Sequence, residues 1–359
     1  MTADLRAAIE AQLEEVRIAV ADESRATGFC IGNTAKPSPL GWFVTPVRHS
    51  PSIVAGSVIV YSDELAREVA TIVDGAVDYV FVDAEKKLRR EAGSEYVPNP
   101  ERIVRESVTK SRIMTYKGND LVVEAVDTLL SQLSATNPRG IGGMIAAVIG
   151  AGNVGSKIAL RLVERGVGVR LYRRSSGALA EIVNGLNRIV PAGTTARIEA
   201  AASALLALQG AQIVVGATDG IAAIGAPMID RLTADAVLIE AGKGSMNAEA
   251  IRRALMSGHR VIRVDVRAAF AGYAETVLRT QRNIEMGLTR RVLDDFAIVS
   301  AGLVGLRGDV VVDNAVNPRV VFGVADGAGD FVRDPASEFK GRADEVRRWI
   351  DRMRRGGAT

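Results

Sequence analysis

The stretch MIAAVIGAGNVG, residues 144 to 155, decides how this sequence folds. Its first six residues are apolar and predict a short buried strand, and the three glycines that follow have the spacing Gly-x-Gly-x-x-Gly. A helical pattern from Val154 to Arg165 begins one residue before the last of these glycines. A strand, a glycine turn and a helix in this order predict the phosphate-binding turn of a dinucleotide-binding unit.

Each glycine of the turn has a predicted task. Gly150 permits the tight bend, Gly152 lets the backbone approach a pyrophosphate, and Gly155 allows the helix to pack closely on the strand. Backbone amides at the start of the helix supply hydrogen-bond donors and the positive end of the helix dipole. The predicted pyrophosphate site therefore comprises the whole turn, Gly150, Ala151, Gly152, Asn153, Val154 and Gly155.

The chain on both sides of this turn predicts an α/β protein. Short apolar runs alternate with helical patterns and predict a doubly wound parallel sheet of the Rossmann type. These runs are Met144 to Ile149, Val167 to Tyr172, Arg197 to Ala200, Ile213 to Val215, Ala236 to Ile239 and Val261 to Val264. We predict a Rossmann domain at residues 136–290, preceded by a smaller α/β substrate domain at residues 1–135. Residues 291–359 are predicted to be strands and a helix that pack on the first domain or on a second subunit.

The smaller domain is expected to begin with an amphipathic helix, residues 1–22, followed by strands and helices of its own. Ser62 has the position of a helix cap, and Pro98-Asn99-Pro100 separates the last strand from a charged helix. The predicted elements are strands at 27–32, 41–45, 55–61 and 77–82 and helices at 62–73, 101–113 and 119–133.

The end of the second Rossmann strand predicts which dinucleotide is bound. Sites for NAD usually carry an acid there, whereas this chain has Arg173, Arg174 and Ser175. Guanidinium groups suit a 2′-phosphate, so NADP is predicted and NAD is less favoured. Small residues at later strand ends, Ala217, Thr218 and Gly242, are expected beside the cofactor. Asp219 is interpreted as a helix cap, and the alternative is that it faces the substrate.

Lysines are the favoured acid–base candidates, because arginine stays protonated. His49, in a loop that could reach a cleft, is the alternative, and His259 is interpreted as structural. Only eight of the 45 basic residues are lysines, and four of them fall in one short window. These four are Lys86, Lys87, Lys110 and Lys117.

Gly118-Asn119-Asp120, at the start of a predicted helix some 30 residues before the glycine turn, carries a family resemblance. In layout the chain resembles shikimate dehydrogenases and the methylene-tetrahydrofolate and methylene-tetrahydromethanopterin dehydrogenases, whose first domain is amino-acid-dehydrogenase-like. The resemblance covers residues 55–285. It implies that Asp120 is the substrate-binding acid and that it works with Lys86 or Lys87, or with the local alternatives Lys117 or Lys110.

These observations predict an NADP-dependent oxidoreductase that transfers a hydride to or from a carbonyl, alcohol, imine or amine carbon of a small polar metabolite. A substrate carboxylate is expected. Arg105 and Arg112 are candidates to pair with it, and the favoured alternative is that each lies on the surface. A lysine would polarise or protonate the reacting atom, and Asp120 would orient that lysine. The alternatives are a pterin-linked methylene dehydrogenase and a non-catalytic sensor of NADP(H).

Composition excludes several other classes. The net charge of +3 is spread along the chain, which argues against a nucleic-acid-binding protein. Cys30 is the single cysteine, so no disulfide or multi-cysteine metal site is expected, and no metal is predicted. No apolar run reaches the length of a membrane span. We therefore expect a soluble cytoplasmic protein whose partners are a small-molecule substrate and a second copy of itself.

Overall fold

The glycine turn lies in the middle of a six-stranded sheet in the computed structural model, which describes residues 3–21, 25–34, 40–88, 95–333 and 339–356. All neighbouring strands of this sheet are parallel, in the order β12-β11-β10-β7-β8-β9. Its strands are β7 (Ile145–Ile149), β8 (Gly168–Tyr172), β9 (Ile198–Ala200), β10 (Ile213–Gly216), β11 (Val237–Glu240) and β12 (Arg260–Arg263). The strand order reverses between β7 and β10, so a crevice forms at their carboxyl ends. The predicted doubly wound sheet is confirmed.

Helices cover both faces of this sheet because successive residues of its strands point to opposite sides. Ala146 and Val148 of β7 belong to the core on one side, whereas Ala147 and Ile149 belong to the core on the other. The helices are α4 (Gly118–Leu133), α5 (Asn153–Glu164), α6 (Ser176–Ile189), α7 (Ala204–Leu208), α8 (Ala226–Ile229) and α9 (Ala248–Met256).

Residues before the glycine turn form a second sheet with a parallel centre, in the order β2-β4-β1-β5-β6, with β3 also paired to β4. Its strands are β1 (Ala26–Asn33), β2 (Trp42–Val44), β3 (Arg48–His49), β4 (Ile53–Val60), β5 (Tyr79–Asp83) and β6 (Arg112–Tyr116). The helices of this region are α1 (Ala3–Val20), α2 (Asp63–Val73) and α3 (Pro100–Ser107). Ser62 caps α2 by accepting a hydrogen bond from the Leu65 amide, as predicted.

One predicted helix of this region is wrong in its second half. The helix expected over 101–113 ends at Ser107, and Arg112–Tyr116 is strand β6, parallel to β5. The carboxylate of Asp74 accepts hydrogen bonds from the backbone amides of residues 109, 110 and 111 at 2.8–3.0 Å. These bonds hold the chain in a turn after α3, and the apolar residues that follow pair with the sheet.

The two faces of this second sheet are covered by different parts of the chain. Helices α1, α2 and α3 cover one face with a continuous apolar core. The other face, which we call the inner face, carries Cys30, Ser57 and Phe81, which are neighbours in register on β1, β4 and β5. Helix α10 (Arg267–Met286) begins over the inner face, where the ring of Phe270 meets the ring of Phe81 edge-on at 5.4 Å. The Tyr273 hydroxyl donates a hydrogen bond to the Thr115 carbonyl.

The chain divides into two compact units, residues 1–274 and 275–359. The second unit contains a four-stranded sheet, β13 (Arg290–Val292), β14 (Ala297–Ser300), β15 (Val310–Val312) and β16 (Val321–Val324), and the helix α11 (Arg342–Gly356). Val346 and Ile350 of α11 pack in one core with the sheet residues Ile298, Val310 and Val312. Arg290 forms a two-pronged ion pair with the buried Asp309 at 2.7 and 2.8 Å.

The three-part domain division, 1–135, 136–290 and 291–359, stays a prediction. The first predicted helix, 1–22, and the last, predicted at 335–355, lie partly outside the described residues, at 1–2, 22 and 335–338. No helix in the described ranges combines the length and apolarity that crossing a bilayer requires.

Candidate cofactor and active site

The glycine turn has the geometry that the sequence predicts. Gly150 has φ +114°, a value that favours glycine, and a Cβ atom there would lie 2.5 Å from the carbonyl oxygen of Ala217. A Cβ atom on Gly155 would overlap the carbonyl oxygen of Gly150. A Cβ atom on Gly152, in contrast, would meet no described atom within 4 Å. Gly150 and Gly155 are therefore required for packing, whereas Gly152 presents backbone to open space.

Helix α5 offers its first backbone amides to a ligand. Gly152 is its N-cap residue and makes no side-chain capping bond. The first amides of a helix lack partners within the helix and lie at its positive end, which suits a pyrophosphate. Val154 packs its side chain against the core, and Asn153 accepts a hydrogen bond from the Asn119 side chain at 3.3 Å. The turn is thus built to bind through its backbone.

A cavity of about 410 Å³ opens beside this turn. The turn residues Gly150, Ala151 and Gly152 form one wall, and the end of β8 with the residues that follow it forms another. Its lining residues are Ile149, Gly150, Ala151, Gly152, Tyr172, Arg173, Arg174, Ser175, Ala217, Thr218, Asp219, Ile221 and Ala223. Arg173, Arg174 and Ser175 are exposed, so two guanidinium groups and a hydroxyl lie where a ribose substituent of the cofactor would come.

Asp219 does not have the predicted role of a helix cap. The next helix along the chain is α8, and its N-cap residue is Gly225. Asp219 instead lines the cavity.

A second strand end supports the other wall of the cavity. The Glu240 carboxylate accepts hydrogen bonds from the amides of Ser245 and Met246 at 3.0 and 3.1 Å, and the Ser245 hydroxyl accepts one from the Thr218 amide at 3.2 Å. A Cβ atom on Gly242 would overlap the Thr218 carbonyl oxygen. Gly242 therefore allows close backbone packing against Thr218. Sequence reasoning missed Glu240 and Ser245, although an acid at a strand end before Gly-x-Gly was a usable signal.

Lys87 alone of the four candidate lysines lies in a buried charge cluster within the described residues. Its Nζ atom lies 2.6 Å from Asp83 Oδ2 and 3.0 Å from Glu85 Oε2. Asp83 is buried, and its carboxylate also accepts hydrogen bonds from the amides of Glu85 and Gly118 at 3.0 and 3.3 Å. Burial raises the pKa of Asp83, and the neighbouring Lys87 opposes that shift. We call Lys87, Asp83 and Glu85 the lysine cluster.

Backbone contacts fix the loop that carries the lysine cluster. Asn33, at the end of β1, accepts a hydrogen bond from the Lys87 amide at 3.0 Å and donates one to the Glu85 carbonyl at 2.9 Å. The Asn119 amide donates to the Glu85 carboxylate at 2.7 Å. Sequence reasoning missed Asp83, Glu85 and Asn33. Their position at the carboxyl ends of parallel strands was the available signal.

The other predicted catalytic residues lie elsewhere. Lys86 is exposed, and Lys117 is exposed with its Nζ atom 3.9 Å from Asp120. Asp120 forms its close ion pair with Lys157 of helix α5. The structure therefore pairs Lys87 with Asp83 and uses Asp120 to connect the start of α4 to α5.

The remaining candidates do not join the lysine cluster either. Arg105 forms an ion pair with Glu101 at 3.1 Å, and Arg112 and Lys110 are exposed. His49 is exposed, whereas His259 is buried.

Comparison with known proteins bears on the domain that contains the glycine turn. Residues 145–272 match the family described as the NAD binding domain of 6-phosphogluconate dehydrogenase. No curated protein sequence is similar enough to match the chain.

Three solved structures illustrate the range of similar proteins. A dipicolinate synthase chain from Bacillus halodurans is 14% identical over 71% of this chain and 97% of that chain, with a TM-score of 0.35. L-tryptophan dehydrogenase from Nostoc punctiforme is 13% identical over 71% of this chain and 74% of that chain, with a TM-score of 0.40. Ornithine transcarbamoylase from Giardia lamblia is 13% identical over 77% of this chain and 93% of that chain, with a TM-score of 0.42.

None of these similarities assigns a substrate to this chain. The family match and the parallel sheet do confirm the predicted NAD(P)-binding domain of the Rossmann type.

Proposed function

We propose that this protein is a cytoplasmic NADP-dependent oxidoreductase that reduces a carbonyl or imine carbon of a small polar, carboxylate-bearing metabolite, or oxidises the corresponding alcohol or amine. One observation carries the proposal: Asn119 joins the lysine cluster to the glycine turn. Its backbone amide donates to Glu85, and its side chain donates to Asn153. Hydride transfer to a carbonyl or imine carbon requires a proton donor and a bound dinucleotide. Asn119 contacts the residues proposed for both parts.

The lysine cluster supplies the proton chemistry in this proposal. A bound nicotinamide would supply or accept the hydride. The Lys87 ammonium would donate its proton to the carbonyl oxygen or imine nitrogen as negative charge develops there. Asp83 and Glu85 hold Nζ in place from two sides, and a fifth of the Lys87 side chain remains exposed, so a substrate can reach it.

The choice of NADP over NAD rests on the residues after β8. Arg173 and Arg174 line the cavity beside the turn, and either guanidinium can form paired charge-assisted hydrogen bonds with a 2′-phosphate. We expect the double variant R173S/R174S to bind NADPH about 10- to 100-fold more weakly and NADH with unchanged affinity. Fluorescence titration with both nucleotides measures this. Equal losses for NADPH and NADH would contradict the assignment of the 2′-phosphate site.

The test of the proposed function is NADPH titration followed by an activity screen with small 2-oxo acids, imino acids and cyclic hydroxy acids. Tight binding with turnover of one class supports the proposal and identifies the substrate class. Tight binding without turnover of any class favours the cofactor sensor instead. Turnover of pterin substrates alone favours a methylene dehydrogenase.

We also propose that the protein is a homodimer that associates through its second unit. Strands β13 and β16 are the edges of their sheet, and Val292, Val304, Leu306 and Phe322 are each more than half exposed. Open strand edges with exposed apolar side chains are usually covered by another chain. Size-exclusion chromatography with light scattering is expected to give twice the chain mass of 38.0 kDa. A monomer at micromolar concentration would refute this proposal.

A further inference from the structure

The inner face of the second sheet holds an arginine that forms no ion pair with any part of the chain the structure describes. Arg48 of β3 places its guanidinium 5.0 Å from the centre of the Phe270 ring. Its Nη1 atom is shielded from solvent and has no hydrogen-bond partner among the described residues. Its Nη2 atom donates a long hydrogen bond of 3.5 Å to the hydroxyl oxygen of Thr45. A shielded guanidinium nitrogen without a partner is costly, and an anion would remove that cost.

A serine on the same face has an unsatisfied hydroxyl. Ser57 is fully buried, and its Oγ atom has no hydrogen-bond partner in the described part of the chain. Its backbone is satisfied, because the amide donates to Gln12 at 2.6 Å and the carbonyl accepts from Thr45 at 2.9 Å. Arg48 is the register partner of Ala55 on β4, two residues before Ser57, so the side chains of Arg48 and Ser57 lie on the same face of the sheet. The hydroxyl and the guanidinium therefore belong to the same small region.

The titratable groups near Arg48 are either neutral or paired with another residue. Burial raises the pKa of Cys30 to about 11, so this thiol is neutral, and burial also raises the pKa of Tyr116 well above its usual range. Asp265 is held by Arg267 at 2.8 Å, and Asp83 is held by Lys87. The region thus has one positive charge and a neutral hydroxyl donor, which match a monoanion better than a phosphate dianion.

We propose that Arg48 and Ser57 form the subsite for the substrate carboxylate. The inference rests on the proposed function, because it places the acid group of the substrate beside the lysine cluster. Tyr116 connects the two regions: it ends the strand next to Asp83, and its ring lies 6.4 Å from the Phe270 ring. Arg48 Nη1 and Ser57 Oγ are shielded from solvent, so a carboxylate reaches them only when the residues that cover them move. Phe270, at the start of α10, is one of these covering residues.

Calorimetric titration of the NADPH-loaded protein with pyruvate, 2-oxobutyrate and oxaloacetate, and with the uncharged pyruvamide, tests this subsite. We expect at least one acid to bind and pyruvamide to bind at least about 10-fold more weakly. R48M should weaken acid binding by about 10- to 100-fold, and S57A should weaken it by about 5- to 10-fold. The matched control is R102M, because Arg102 is an exposed arginine of α3 that pairs with Glu106 at 3.5 Å.

The outcomes separate this inference from the proposed function. Acid binding that R48M leaves unchanged, or no binding of any acid to the wild type, overturns the subsite. Failure to bind NADPH or to turn over any substrate instead overturns the proposed function. If R48M does not fold, the test is the hydrogen exchange rate of the backbone amides of residues 267–274 in the wild type. We expect an acid to change this rate and pyruvamide to leave it unchanged. Unchanged exchange with a binding acid would place the carboxylate elsewhere.

Discussion

Gly152→Ala is expected to weaken NADPH binding by at least about 100-fold while the protein melts at its normal temperature, and Gly155→Ala is expected to damage the fold itself. The difference follows from where each new methyl group would lie. At residue 152 it would enter open space in front of the helix amides, where the pyrophosphate must approach. At residue 155 it would overlap the Gly150 carbonyl oxygen, so strand β7 and helix α5 must separate.

Forced separation of packed backbone costs about 3 kcal/mol or more, which lowers Tm by at least about 6 °C in a domain of this size. Calorimetric melting and NADPH titration of both variants provide the two readouts. Gly177→Ala is a suitable control, because a Cβ atom at this helical glycine would also meet nothing within 4 Å. Wild-type NADPH affinity in G152A would contradict the assigned pyrophosphate site.

Lys87→Met is expected to lower turnover by about 100- to 10,000-fold with NADPH affinity unchanged, since it removes the proton donor and leaves the glycine turn intact. The natural comparison is Lys86→Met, which changes the adjacent lysine. Lys86 is exposed and lies outside the lysine cluster, so its loss should change turnover by less than about twofold.

The acids distinguish the structural assignment from the one that the sequence implied. Asp83→Asn should lower turnover strongly, because Lys87 would lose its buried partner, whereas Asp120→Asn removes the ion pair with Lys157 and the longer one with Lys117. Steady-state kinetics with the substrate found in the screen measures both. A larger loss in D120N than in D83N would return the catalytic role to Asp120.

The cofactor half of the site was predictable from the sequence because its determinants are local. Gly150, Gly152 and Gly155 lie within six residues, and the arginines that line the cavity follow the next strand directly. Strand, turn and helix follow one another there without a long connection, so spacing alone specifies their geometry.

The catalytic half was harder to predict because its contacts join distant positions. Asn33, Glu85 and Asn119 meet although about 50 and 34 residues separate them, and no periodic pattern marks such a meeting. Lys87 was one of four candidate lysines until the buried Asp83 distinguished it. The mistaken helix at 101–113 has the same origin, since Asp74 ends it from 35 residues away.

The contact between Tyr273 and Thr115 has a consequence for the order in which the protein is made. The two residues are 158 positions apart, so β6 leaves the ribosome long before the helix that covers it. At 5–20 residues per second this interval lasts about 8–30 s. For that time Cys30, Ser57 and Phe81 lie on a sheet face that α10 does not yet cover, so this face is completed only late in synthesis.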